Sequence, residues 1–172
     1  SGCTVVAYIR DAVGTLLDGT SSTSTAANNT ITFNIDGPVS YVNSYRIQDA
    51  VNGRATILLR STSRAGTVRV TAVSAGLVSG ATEFVVLPGP ASKLSLNLPI
   101  LQSSNLIADG NSTVDVTARI TDSNDNLITT STDTVTFNIN SEGGALATWG
   151  DGNVGAAFIT PAGGIATVRI KS

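Results

Sequence analysis

Asp109, Asp122 and Asp125 come closest in this chain to a converging set of ligands. Calcium takes carboxylate and carbonyl oxygens from loops. Asp122 and Asp125 stand in a run of short polar residues, DSNDN at 122–126, and Asp109 stands upstream in ADGNS at 108–112. The spacing fits no dedicated calcium loop, and Asp and Asn also make tight turns by bonding their own backbone. Two readings stand side by side: a calcium ion that stiffens a loop or a domain junction, and turn chemistry alone. Trp149 lies in the glycine-rich stretch ATWGDGN at 147–153. An exposed indole there would stack on a sugar ring, whereas a packed one would cap the end of a core. The only glutamates are Glu83 and Glu142. Acid-pair hydrolysis needs two carboxylates facing each other across a cleft, and the repeat described below assigns these two to different halves of the chain. With no histidine, the usual general base and the commonest metal ligand are both lacking. The expectation is a protein that is not an enzyme and has no cofactor beyond the calcium considered above.

The bulk composition points the same way. Hydrophobic residues make up 41% of the 172 and charged ones 13%, enough for a core, with a surface that depends on Ser, Thr and Asn. Such surfaces are common in secreted and cell-surface β proteins. Net charge is −2, and eight of the ten cations are arginines scattered singly. No basic patch is present to neutralise phosphates, so nucleic acid is not an expected partner. No run of 18 apolar residues offers a membrane span. The N-terminus does not read as a signal peptide, which a mature secreted fragment would lack. NNT at 28–30 and NST at 111–113 are formal N-glycosylation acceptors. Cys3 is the one cysteine and has no intramolecular partner. It reads either as an acylated terminal cysteine or as a buried, inert core thiol, and the repeat favours the second.

These residues hang on a run of strands. In residues 112–128 Val114, Val116, Ala118 and Ile120 alternate with Asp115, Thr117, Arg119 and Thr121, the period-two mark of a half-buried strand. The DSNDN turn and Leu127-Ile128 follow, making a corner of an antiparallel sandwich. Similar alternation marks residues 3–11, 31–35, 54–60, 67–73, 81–87 and 93–98. At residues 87–91, LPGPA, two prolines flank a glycine; this cannot lie in a central strand and reads as a short, semi-rigid connector. On either side the chain repeats itself. Ala7, Ile9 and Asp11 match Ala118, Ile120 and Asp122 at a shift of 111 (118 − 7), and GRATILLRS at 53–61 matches GIATVRIKS at 164–172 at the same shift. ITFNI at 31–35 matches VTFNI at 135–139 at a shift of 104. A repeat of roughly 110 residues is too long for a solenoid module and means tandem domains.

The second half carries ADGNSTVDVTARITD at 108–122, then VTFNI at 135–139 and GGIATV at 163–168. This pattern resembles bacterial Ig-like domains of the invasin and intimin type (group 1), closely over residues 94–172 and more loosely over 4–86. It departs from them in Asp125, where the family's turn has glycine, and in Gly14-Thr15 of the first half. Residues 60–77 are also similar to Ig-like accessory domains of family 2 glycoside hydrolases. The resemblance implies an all-β chain of two tandem Ig-like sandwiches, residues 1–88 and 92–172. Counting by 111 predicts that the first lacks its opening strand and the second its last two. The implied function is a non-catalytic structural or spacer module, extracellular or on a prokaryotic cell surface. Its partners would be neighbouring domains of the same or adjacent chains. The missing strands have two readings, a longer chain that supplies them, or strand complementation by a neighbouring copy or partner into a fibre or lattice. The alternatives are a carbohydrate-binding or adhesive module that meets surface glycans through Trp149, and a glycosidase accessory domain. The inward set includes Val5, Ala7, Ile9, Phe33, Leu59 and Val68 in the first half, and Leu94, Leu96, Ile120, Val135, Phe137 and Val168 in the second.

Overall fold

Thirteen strands and a single 3-10 turn account for the regular structure of the computed structural model, which describes residues 2–20, 28–98, 107–140, 147–153 and 155–172. The chain divides into two units, Ser1–Leu87 and Pro88–Ser172. Unit 1 contains β1 (Gly2–Tyr8), β2 (Thr30–Asp36), β3 (Val39–Tyr41), the 3-10 turn Val42–Ser44, β4 (Ile47–Asp49), β5 (Arg54–Ser61), β6 (Gly66–Val73) and β7 (Gly80–Val86). They form a three-stranded sheet, β1-β5-β3, and a four-stranded one, β4-β2-β6-β7. Unit 2 contains β8 (Lys93–Asn97), β9 (Thr113–Thr121), β10 (Val135–Asn138), β11 (Thr148–Trp149), β12 (Ala156–Ile159) and β13 (Ile165–Lys171). Its sheets are β11-β13-β9-β8 and β10-β12. All strand pairings among the described residues are antiparallel, and the fold is all-β and Ig-like.

The repeat in the sequence is a repeat in the hydrogen bonds. Val5 pairs with Ile57 in unit 1, and Val116 pairs with Val168 in unit 2, both partners displaced by the same shift. Ile9 N–H donates to Gly53 O at 2.8 Å, as Ile120 N–H does to Gly164 O at 2.9 Å. The two glycines hold the same place for the same reason. Both have positive φ (69° and 76°), and a Cβ on either would lie 2.6 Å from the Leu17 carbonyl oxygen or 2.4 Å from that of Ile128. Side chains are barred there by the backbone of the neighbouring turn.

Each unit buries the alternate residues of its long strands. In unit 1 Phe33, Leu59 and Val68 are fully buried, with Ile9, Ile31, Ile57 and Val70 around them. In unit 2 the core gathers Ala118, Ile120, Val135, Phe137, Ala166 and Val168. Three inward expectations fail. Cys3 is exposed, although it shares a face with Val5 and Ala7. It lies on β1, an edge strand among the described residues, at a cleft that no described strand fills. Leu94 and Leu96 are 62% and 68% exposed. In unit 1 the second sheet runs two strands beyond β2, through β6 to β7, whereas in unit 2 the described second sheet is β10-β12 alone. The leucines of β8 share one face, but no described strand covers it.

Candidate functional site

Asp122 is a charged side chain held deep in a corner of unit 2. After β9 the chain turns sharply, with Asp122 N–H donating to Asn126 O at 3.0 Å and Asp125 N–H to Asp122 O at 3.1 Å. Asp125 sits at φ 65°, a conformation that Asp tolerates better than most residues; Gly14 takes the equivalent place in unit 1 at φ 92°. The Asp122 carboxylate is folded back into this turn and is 2% exposed. Its Oδ1 accepts the N–H groups of Asn124 and Asn126, both at 2.9 Å. Its Oδ2 accepts Asn126 Nδ2 and the N–H of Gly89, both at 2.8 Å. The Asn126 amide, with the backbone donors behind it, outweighs burial and holds the Asp122 carboxyl down to about 2. Gly89 belongs to the segment leading into β8, so this carboxylate fastens the start of unit 2 to its first corner. Beside it, Thr121 Oγ1 is buried with no hydrogen-bond partner among the described residues.

The other two carboxylates have separate work. Asp125 points outward and pairs with Lys93 Nζ at 2.9 Å, linking the turn to the first residue of β8. Asp109 caps its own turn, accepting the N–H groups of Asn111 and Ser112 at 2.8 and 2.6 Å, Ser112 Oγ at 2.8 Å and Ser172 Oγ at 3.3 Å. These donors, the Asn111 N–H foremost, lower it to about 2. The structure does not bring the three together: among the described residues no three acidic or cysteine side chains could share a metal ion. The oxygens of Asp109 and Asp122 are directed at N–H and O–H donors, which does not fit a shared calcium. Glu83 pairs with Arg69 at 3.2 Å across β6 and β7; Glu142 lies outside the described residues.

Trp149 is 7% exposed and part of the unit 2 core. Its Nε1–H donates to Gly155 O at 2.8 Å. Trp149 pairs with Ile170, and Tyr41 pairs with Leu59, the counterpart of Ile170 in the repeat. The two aromatics are therefore equivalent, and Tyr41 also donates its hydroxyl to a backbone oxygen, Phe33 O at 2.7 Å. Each ring is packed with its polar tip satisfied, so neither offers the open face that stacking on a sugar requires.

The unsatisfied feature is an edge. In unit 2, β8 pairs with the outer edge of β9, Leu94 opposite Ile120 and Leu96 opposite Ala118. The equivalent edge in unit 1 belongs to β1, and there no described strand pairs with it. Two cavities run along the seam between β1 and β7. One of about 700 Å³ is lined by Val5, Ala7, Ile9, Val70, Ala72 and Leu77 among others. The second, of about 370 Å³, is lined by Cys3, Leu59, Phe84 and Val86 among others. At the end of the seam Asp11 repeats half of the Asp122 pattern. Its Oδ1 accepts the N–H groups of Val13 and Thr15 at 3.0 and 2.8 Å, while its Oδ2 has no donor among the described residues.

No family model matches this chain, and no curated protein matches it in sequence. Solved structures do. The chain is similar to the D0–D1 domain of intimin, at 16% identity and a TM-score of 0.40, over all of this chain and 76% of that one. It is similar to domains 5–6 of the S-layer protein SbsC, at 16% identity and a TM-score of 0.34, again over 100% and 76%. Domains 4–9 of SbsC match at 14% identity and 0.31, with 24% of that longer chain covered.

Sequence reasoning found Asp122 and Trp149 but left their roles open between ligand contact and local structure, and it passed over Asp11. The signal for Asp11 was present, since Asp11 and Asp122 hold matching positions in the repeat.

Proposed function

We propose that this chain is a non-catalytic structural module of an extracellular or cell-surface protein, a spacer whose open sheet edges take strands from neighbouring domains or copies. The observation that carries this reading is the shared register of two sandwiches open at different places. Among the described strands, β1 of unit 1 lacks the partner that β9 has in β8, and β10 lacks the pair that β2 has in β6 and β7. Such edges pair readily with any extended strand. The polar functional groups support the same reading, because Asp109, Asp122, Tyr41 and Trp149 all spend their hydrogen bonds on backbone or neighbouring side chains. The uncharged hydroxyl and amide surface and the resemblance of residues 108–122, 135–139 and 163–168 to bacterial Ig-like domains favour a surface location.

The test is mechanical. Stretching the full chain between terminal tags should give two unfolding events, each releasing roughly 250–300 Å of contour length for a unit of this size. Saturable retention of the folded chain on a glycan array or a polysaccharide column would overturn the spacer reading in favour of a binder.

A further inference from the structure

We propose that unit 1 meets a second copy of this chain face to face, the arginine-bearing outer face of its β1-β5-β3 sheet lying on the acidic outer face of the β4-β2-β6-β7 sheet of the next copy. The inference deepens the structural-module reading and rests on it. Alternation along β1 and β5 turns Val5, Ala7, Ile57 and Leu59 toward the core, so Val6, Tyr8, Arg54, Leu58 and Arg60 stand exposed on the other side. The register sets Tyr8 opposite Arg54 and Thr4 opposite Leu58. The Arg10 and Arg54 guanidiniums lie 5.7 and 5.8 Å from the centre of the Tyr8 ring, within the reach of cation–π attraction. Among the described residues, none of Arg10, Arg54 and Arg60 pairs with a carboxylate. Asp18 lies within the influence of Arg54, but its carboxyl is lowered chiefly by Thr20 and least by that charge. The repeat sharpens the contrast. Thr4 and Leu58 correspond to Asp115 and Arg169 (115 − 4 and 169 − 58 are both 111), which form an ion pair at 2.7 Å. Unit 2 carries a carboxylate on this face, and the strands of unit 1 carry none.

Charge and apolar surface together name the occupant. With three arginines gathered on one face, the rest of the chain holds seven cations and twelve acids, a net −5 (7 − 12). A second copy therefore supplies the opposite charge. The outer face of the other sheet of unit 1 carries Asp36, Asp49 and Glu83 against Arg46 and Arg69, a net −1 (2 − 3). It also exposes Ile47, Val73 and Val85, as the basic face exposes Val6, Tyr8 and Leu58. Their contact buries apolar area while it pairs charge. The two sheets enclose one core, so their outer faces look in opposite directions. Contact between them is heterologous: each copy keeps one free face, and the stack extends. Neither face depends on the sheet edges, because a strand added beside β1 or β7 widens the sheet and leaves its outer side open. A face three strands wide and about seven residues long covers roughly 14 by 24 Å. That is below the ~800 Å² each partner gives to a stable interface, so a single contact is weak and salt screens it.

Sedimentation velocity of the intact chain across a concentration series reads this contact. At low salt the parent should form dimers and a continuing series of larger species. In about 1 M salt, where the Debye length is ~3 Å, it should fall back toward monomer. The variant Arg10→Gln with Arg54→Gln and Arg60→Gln removes the basic face. The variant Asp36→Asn with Asp49→Asn turns the acidic face from −1 to +1 (2 − 1). Each should stay monomeric alone. Mixed one to one, they should form dimers and nothing larger, because only one native pair of faces survives. That recovery also shows both variants to be folded. The proposal is overturned if the parent stays monomeric up to about 1 mM at low salt, a limit of only ~4 kcal/mol, or if the parent stops at a closed dimer. It is equally overturned if salt or the arginine variant leaves association unchanged, or if the mixture stays monomeric. Stretching a single tethered chain does not register contacts between copies, so failure here and failure of the spacer reading are told apart.

Discussion

At the scale of single residues, the acidic groups act as fasteners, and their charge is part of the fold. Asp109 and Asp122 both fall from an ordinary 3.8 to about 2. A lowered carboxyl means that the folded state favours the ionised form. Its contribution is complete above the unfolded value, near pH 4, and is lost as pH falls through the folded value toward 2. Thermal melts should therefore show the Tm dropping between pH 4 and pH 2. Asp122→Asn should melt lower at pH 7 yet lose less over that acid window; an unchanged acid slope would show that Asp122 does not contribute to it. Thr121 makes the opposite case. Its hydroxyl is buried without a partner among the described residues, and burying such a group costs about 1–3 kcal/mol, so Thr121→Val should leave stability unchanged or raise it. A loss above ~1 kcal/mol would mean that the hydroxyl is bonded after all. The sequence showed Asp122 as a turn residue. It did not show the Gly89 contact, because Gly89 and Asp122 are distant along the chain and the link exists only once β8 has paired.

At the scale of elements, what could be read in advance was the alternation of the longer strands. Phe137 is buried at 7% and pairs with Ala157, at the place in VTFNI that Phe33 holds in ITFNI. Phe137→Ala should cost about 3–5 kcal/mol, measured by urea unfolding; below ~1 kcal/mol the ring would have to face solvent. The short strands were not readable. Two residues of β11, embedded among glycines, carry no period, and β12 in AAFI has apolar residues on both faces. Their existence depends on partners, β13 for one and β10 for the other. With β11 comes the role of Trp149. Tyr41→Phe and Trp149→Phe each remove one donor to a backbone oxygen; the first should cost about 0.5–1.5 kcal/mol, and the second more than that, because the smaller ring also leaves a cavity in the core. A neutral Trp149→Phe would leave the indole N–H without a structural role.

For the molecule as a whole, alternation says which residues share a face, and coverage of that face depends on strands elsewhere in the fold. That is why Leu94 and Leu96 were expected inside. Leu94, Leu96 and Leu98 stand 62%, 68% and 52% exposed along one strand and its extension. A row of leucines on an exposed sheet face is a site for association. It should set the concentration at which the chain associates with itself while contributing little to its folding. The variant Leu94→Thr with Leu96→Thr places β-branched, strand-favouring residues at both positions. Sedimentation velocity across a concentration series should show self-association of the parent chain displaced to higher concentration in the variant. Substitutions on an exposed surface usually stay within about 0.5 kcal/mol, so the melting temperature of the variant should hold. A large loss of stability would instead place these leucines under cover, with unit 2 closed over β8. An unchanged association profile would show that the leucine face is not a site of self-association.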